Sequence, residues 1–167
     1  MKSAKVMLLG DIGVGKSSLA RRFVFDRFDT EYKTTIGVDV LTHDVDLGEP
    51  CDGARLRLVL WDTDGDFGSR IFETVYLAGA SAAIIVADAT RPATIVKMIG
   101  LVAHFEDAFP GRPVAPIVNK IDLAEDFARD GLADLGPRDT IFTSAKTGLA
   151  VNEMFVDLGR AIWRRAF

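Results

Sequence analysis

Val6–Leu9 is an unbroken apolar run, and after one short glycine-rich turn the pattern changes to the helical period over Lys16–Phe25. A strand that is apolar on both faces must be covered on both faces, which is the situation of a parallel sheet layered with helices. The exchange of apolar run for helical pattern recurs to the end of the chain. Val38–Leu47 and Arg55–Trp61 read as a strand pair joined by a turn over Gly48–Gly53 that contains Pro50. In the second of these, Leu56, Leu58 and Leu60 alternate with Arg55, Arg57 and Val59.

Ala82–Ala87 is another buried run. A helix follows Thr90-Arg91-Pro92, with Ile95, Met98, Ile99, Val102 and Phe105 at helical spacing. Val114–Val118 and Thr140–Thr143 complete six strands, and a last helix carries Met154, Phe155, Leu158 and Ile162 on one face. The expected architecture is α/β: a six-stranded, mostly parallel sheet with one antiparallel edge strand and helices on both faces. No repeat, low-complexity tract or linker divides the 167 residues, so one domain over 1–167 is expected.

Composition narrows the function classes. A net charge of -4 argues against a protein held to nucleic acid by charge. The lone Cys51 cannot form an internal disulfide. No run of about 18 apolar residues is present for a membrane span. The opening "MKSAKVMLLGD" has an apolar run too short for a signal peptide, and "RRAF" at the end offers no cysteine for a prenyl group. A cytoplasmic, monomeric protein without a lipid anchor, or one whose anchoring tail has been trimmed, is expected.

The segment "GDIGVGKSS" fits G-x-x-x-x-G-K-[ST], with Gly10, Gly15, Lys16 and Ser17 in register. Glycines let the backbone curl until successive N–H groups face anionic oxygens, and the helix that starts near Lys16 adds its positive end. Lys16 would reach the outer phosphates of a nucleotide and the Ser17 hydroxyl would hold magnesium. This loop alone says phosphate and leaves the base open.

Two later tetrapeptides address the base. "NKID" at 119–122 and "TSAK" at 143–146 each follow a strand, at the carboxyl edge where ligands of open α/β sheets collect. A carboxylate at Asp122 can accept two N–H bonds from the guanine edge, whereas adenine presents the wrong pattern. Asn119 and Lys120 would shape that pocket, and the Ala145 N–H would face the guanine carbonyl.

On "GDIGVGKSSL", "FDTEYKTTIGVDV", "WDTDGDF", "DATRPAT", "NKIDL" and "TSAKTG", in order and at family spacing from Lys5 to Arg164, the chain resembles the Ras superfamily of small GTPases. "TIGVD" and "DATRP" bring it nearest the Rab branch. The resemblance implies a P-loop fold that binds GTP or GDP with Mg2+ and hydrolyses GTP, with Lys16, Thr35, Gly65 and Asp66 in the catalytic positions. Asp11, Ile12, Gly13, Val14, Gly15, Lys16, Ser17 and Ser18 would surround the phosphates. Phe28 would lie on the guanine face, Tyr32 would cover the phosphates, and the Gly65 N–H would meet the γ-phosphate. Asn119, Lys120, Asp122, Leu123, Ser144, Ala145 and Lys146 would enclose the base. Ser17, Thr35 and Asp62 would hold the metal. Residues 28–38 and 63–77 match the switch segments through which effector, exchange-factor and activator proteins read the bound nucleotide.

Three positions depart from the family. Asp64 stands where Ala is usual, Asp66 where a water-orienting Gln is usual, and Phe67 where Glu is usual. A glutamine donates and accepts hydrogen bonds at once, whereas an ionised, shorter Asp66 only accepts. A carboxylate within about 4 Å of a γ-phosphate oxygen would be repelled by about 4 kcal/mol at an effective dielectric near 20. Ile12 would crowd the side from which an activator's arginine must enter. These changes point to slow hydrolysis. A freely varying solvated loop, and an Asp66 that acts as a water-orienting base from a new geometry, are the alternatives. A hydrolysis-deficient, GTP-locked scaffold and an ATP-dependent P-loop enzyme are the competing functions, the last disfavoured by Asp122 and Ala145.

Remaining features read as structural. His43 and His104 lack metal-ligand spacing and are expected at the surface. Arg21 and Arg22 read as exposed helix charge, Trp163 as a core residue before the basic end Arg164-Arg165, and Cys51 as a free thiol between strands.

Overall fold

The computed structural model describes residues 1–31, 33–124, 131, 136–137 and 139–167. Its strands are β1 (Lys2–Gly10), β2 (Val38–Asp46), β3 (Arg55–Thr63), β4 (Ala82–Asp88), β5 (Val114–Asn119) and β6 (Ile141–Phe142). They form one sheet in the order β2-β3-β1-β4-β5-β6. β2 is the antiparallel edge, running from Val38 opposite Thr63 to Asp46 opposite Arg55. The other pairings are parallel, so β1, β3, β4, β5 and β6 all end at one edge of the sheet.

The doubly apolar strands divide their residues between two cores. In β1, Val6 and Leu8 face one side, where they join Leu56, Leu58, Leu60 and Phe155. Met7 and Leu9 face the other, with Ile85, Met98 and Phe105. Among the described residues, α1 (Lys16–Phe25) and α3 (Val151–Ala166) cover the first face and α2 (Pro92–Ala108) the second. Phe23 of α1 stacks on Phe155 of α3 at 4.1 Å between ring centroids. Among the described residues no helix is long and apolar enough to cross a membrane.

The structure revises several local expectations. Ile99 is 38% exposed. At 100° per residue the stripe through Ile95, Met98, Val102 and Phe105 widens toward Leu101, and Ile99 falls just outside it. β3 continues two residues beyond Trp61, because the Thr63 hydroxyl donates to the Leu8 carbonyl at 2.6 Å and parallel pairing pins Asp62 opposite Leu8. His43 is half-buried, edge-on to Phe23, while His104 is exposed and stacks on Phe72 at 3.8 Å. Cys51 is free as expected, but buried, in a 3-10 turn over Glu49–Cys51. Trp163 is half-buried, with the Lys2 ammonium 4.9 Å from its ring centre.

Candidate functional site

A cleft of about 380 Å³ opens at the carboxyl edge of the sheet, lined by the glycine-rich loop, residues 28–31 and 33–35, the end of β3 and the two base-reading loops. Of the residues singled out above, Ile12, Gly13, Gly15, Lys16, Ser17, Ser18, Phe28, Thr35, Gly65, Asn119, Lys120, Asp122, Leu123, Ala145 and Lys146 line it. Asp11, Val14, Asp62 and Ser144 are not in the lining, but each hydrogen-bonds to a residue that is. Tyr32 lies outside the described residues.

The glycine-rich loop takes its shape from positive φ at Gly13 (73°) and Gly15 (104°). A Cβ at Gly15 would collide with the Asn119 side-chain amide, so phosphate loop and base loop touch only because residue 15 has no side chain. The Asn119 amide in turn donates to the Val14 carbonyl at 3.1 Å. Lys16 is 6% exposed, and its ammonium donates to the Gly10 and Asp11 carbonyls, both at 2.8 Å. Burial lowers the Lys16 pKa to about 8, against the carboxylates of Asp62, Asp11 and Asp64, which favour the charged form.

Ser17, Thr35 and Asp62 come from three separate elements and converge. The Ser17 hydroxyl donates to Asp62 Oδ2 and lies 2.7 Å from the Thr35 hydroxyl. Thr35 is itself 3.5 Å from Asp62 Oδ2. Asp62 is 3% exposed and its other oxygen, Oδ1, is buried without a hydrogen-bond partner. Burial pushes the Asp62 carboxyl up, opposed by the Ser17 hydroxyl and the Lys16 ammonium. Two hydroxyls and a carboxylate with an unsatisfied oxygen form a hard-oxygen donor set, the kind magnesium takes, and the residues fit such an ion.

At the base end, Ser144 donates to Asp122 Oδ1 at 2.8 Å, which leaves the second Asp122 oxygen available to the cleft. The Ala145 N–H, expected to face a guanine carbonyl, donates instead to Asn119 Oδ1 at 3.1 Å, an oxygen that also accepts from Thr143. A guanine carbonyl there would share or displace that bond. Phe28 is half-buried against the core and presents itself to the cleft.

The acids after β3 divide between the cleft and solvent. Asp66 is exposed and is absent from the cleft lining, whereas Asp64 is half-buried and lines it. The cause is local. Asp64 is the cap of a 3-10 segment over Gly65–Glu73 and accepts the Asp66 N–H at 2.9 Å, which turns residue 66 away. The Asp64 N–H meanwhile donates to the Gly37 carbonyl at 2.8 Å, joining the two switch segments. Gly65 sits so close to the preceding loop that a Cβ would lie 2.6 Å from the Ile12 Cα, and no larger residue fits. Phe67 packs against Tyr76, 5.8 Å between centroids, where a charged residue would gain nothing.

Residues that pattern reading missed support the cleft from behind. Arg22, read as solvated helix charge, donates to the Ala145 carbonyl at 2.8 Å and to the Lys146 carbonyl. Lys97 pairs with Asp11 at 2.9 Å. Asp88, 2% exposed at the end of β4, lies between Arg91 and Lys120. No local signal announces the Arg22, Lys97 and Lys120 contacts, because their partners are distant in sequence; Arg91 stands only three residues from Asp88, inside "DATRPAT".

A parallel sheet with a glycine-rich loop opening its first helix, and a cleft along its carboxyl edge, defines the fold of a P-loop nucleotide-binding protein. The family model described as the Ras family matches residues 5–164, and the chain belongs to that family, near the Rab branch of small GTPases. Among its relatives is the human Ras-related protein Rab-22A, 36% identical over 168 residues, covering 97% of this chain and 84% of that protein. The GTP-binding protein ypt5 of Schizosaccharomyces pombe is 34% identical over 165 residues, covering 95% and 77%. The Ras-related protein RABE1d of Arabidopsis thaliana is 34% identical, covering 96% and 76%.

Proposed function

We propose that residues 1–167 act as one unit that binds GTP or GDP with Mg2+ and switches between two states of residues 28–38 and 63–77 as GTP is hydrolysed to GDP. The observation that carries this reading is the meeting of three donor sets in one cleft: Lys16 with the N–H groups of the glycine-rich loop, the Ser17–Thr35–Asp62 trio, and Asp122 beside Ala145.

In this reading the Lys16 ammonium neutralises the outer phosphates, and its proton is retained because the polyanion offsets the burial that lowers its pKa. Ser17, Thr35 and Asp62 would hold the magnesium, which when bound would supply positive charge beside the phosphate oxygens. The Gly65 N–H would reach the γ-phosphate, one residue from the Asp64–Gly37 link that joins residues 28–38 to 63–77. Asp122 accepts from the guanine edge, which separates GTP from ATP. Effector, exchange-factor and activator proteins would read the switch segments, and the chain would work in the cytosol.

Hydrolysis is slow in this reading. Asp66 is exposed and cannot both donate to and accept from a water, and Asp64 sets a carboxylate into the cleft wall. The same observation favours a second reading, a GTP-locked scaffold in which hydrolysis is lost. Binding is tested by titrating the purified chain with fluorescent GDP and displacing it with GTP or ATP, with and without a magnesium chelator. Displacement by GTP only, weakened by the chelator, is the expected result; equal displacement by ATP would remove the guanine reading.

A further inference from the structure

Two consecutive carbonyls of the glycine-rich loop are each held by a side-chain cation. Arg91 Nη2 donates to the Ile12 carbonyl at 2.6 Å, and Lys120 Nζ donates to the Gly13 carbonyl at 2.6 Å. Both cations rest on one carboxylate: Asp88 Oδ2 is 3.2 Å from Arg91 Nε and 3.0 Å from Lys120 Nζ. The remaining Asp88 oxygen accepts the Thr90 N–H at 2.8 Å and the Thr90 hydroxyl at 2.7 Å. Burial alone would push the Asp88 carboxyl up, but the Thr90 donors and the Lys120 ammonium outweigh it and hold the pKa below the ordinary carboxylate value. Asp88 is therefore an ionised hub with little freedom to turn.

A peptide unit is planar and trans, so a carbonyl and the N–H of the next residue point in opposite directions. Fixing the Ile12 carbonyl on the α2 side turns the Gly13 N–H to the opposite side. Fixing the Gly13 carbonyl does the same for the Val14 N–H. Ile12 and Gly13 line the cleft, and Arg91 does not.

We infer that Arg91 is a positioning residue: anchored on Asp88, it holds the Ile12 carbonyl so that the Gly13 N–H is aimed at the phosphate chain of the bound guanine nucleotide before that nucleotide arrives. The inference deepens the proposed function and rests on it. Its consequence is that one carboxylate, Asp88, sets both the phosphate loop and the base loop, through Arg91 and Lys120. The Arg91 fork suits the task because a planar guanidinium can satisfy a carboxylate and a carbonyl at once in a fixed geometry, and a lysine ammonium matches that geometry less well. The Arg91 side chain is 44% exposed, so its removal opens no core cavity. Lys97, six residues further along and on α2, supplies a comparison. It carries the same charge at the same rim but pairs with the Asp11 side chain and holds no loop carbonyl.

The experiment loads the full chain with fluorescent GDP and magnesium, then follows release after excess unlabelled GDP for wild type, Arg91→Ala, Arg91→Lys and Lys97→Ala. The 31P spectrum of bound GDP is recorded for each. Arg91→Ala is expected to release GDP roughly tenfold faster, a factor that corresponds to about 1.4 kcal/mol, with a displaced β-phosphate resonance. Arg91→Lys should recover part of both, and Lys97→Ala, which removes a cation without freeing a loop carbonyl, should speed release less than Arg91→Ala and leave the β-phosphate resonance in place. Wild-type release and an unmoved resonance in Arg91→Ala would overturn the inference, and so would equal changes in Arg91→Ala and Lys97→Ala, which would reduce the effect to charge. A wild-type protein that retains no GDP would overturn the proposed function itself, and this inference with it.

Discussion

Arg22 on α1 donates to the carbonyl of Ala145 at 2.8 Å, across 123 residues of sequence, and its second arm reaches the Lys146 carbonyl. Its side chain is only 19% exposed. The loop that carries the Ala145 N–H is thereby fixed to the helix that begins with Lys16, and the base and phosphate pockets keep their spacing. Arg22→Ala leaves two carbonyls without a charged donor, a loss of about 1.5–3 kcal/mol for bonds of this type. Guanine nucleotide affinity should fall by roughly tenfold or more, with thermal stability reduced in the same variant. Isothermal titration with GDP checks it; unchanged affinity would show that the loop holds its place without Arg22.

Asp122 gives a test of base reading that does not depend on hydrolysis. One of its oxygens is engaged by Ser144, and the remaining capacity suits the ring N–H and exocyclic amine of guanine. Inosine lacks the amine. Wild type should therefore prefer GDP to IDP by about 1–3 kcal/mol, and Asp122→Ala should erase most of that preference while weakening both ligands. Competition binding with the two nucleotides measures it, and a preserved preference in Asp122→Ala would place guanine recognition elsewhere.

The six strands, the phosphate loop and both base-reading loops were legible because their signals are local: apolar runs, glycines at fixed offsets, short motifs after strands; the spatial order of the strands was not read from the sequence. The antiparallel edge strand was legible as well, since the short Gly48–Gly53 turn can only reverse the chain. The Asp88 hub was legible only in part, for Arg91 stands three residues away in "DATRPAT" while Lys120 arrives from another loop. Nor could spacing decide whether Asp64 or Asp66 faces the cleft. That depends on Asp64 adopting an extended φ of -64° and ψ of 130° and capping the segment that follows, a choice made by the whole turn.

Asp88 predicts a pH dependence of stability. Its folded pKa lies below the ordinary value of 3.8, so in the window between the two the unfolded chain binds more protons. Stability then rises with pH through that window, is fully present above 3.8, and is lost as pH falls through the folded value. Asp88→Asn lacks the contribution and leaves two cations short of their carboxylate, a cost of about 1–3 kcal/mol near neutral pH. The gap between wild type and variant, from urea unfolding at about pH 6 and about pH 3, should narrow in acid. A gap constant across that range would mean the carboxylate charge adds nothing.

Phe155 tests the core that carries the cleft. It is fully buried and stacks on Phe23, whose helix begins with Lys16 and Ser17. Phe155→Ala should destabilise the fold by about 3–5 kcal/mol, read as a lower denaturation midpoint with an unchanged slope. Saturating GDP should restore part of that loss, because a ligand that binds only the folded chain shifts the equilibrium toward it. No shift with GDP would disconnect nucleotide binding from the fold.

The acids after β3 separate into two experiments. Asp64 lines the cleft and also caps the following segment, so Asp64→Asn removes its charge and keeps a capping side chain. A carboxylate near the γ-phosphate penalises GTP relative to GDP, and although solvent reduces the repulsion, several-fold to tenfold should remain. Asp64→Asn should therefore raise the ratio of GTP to GDP affinity without a matching rise in hydrolysis. Asp66 is exposed and outside the cleft lining, so its deficit is a missing donor and a short reach, and Asp66→Gln should raise single-turnover hydrolysis at least tenfold while the affinity ratio moves little. Both are measured on the same GTP-loaded preparations. If Asp66→Gln hydrolyses no faster than wild type, the slow step lies in something other than the water-orienting side chain, and Asp64 becomes the residue to change with it in a double variant.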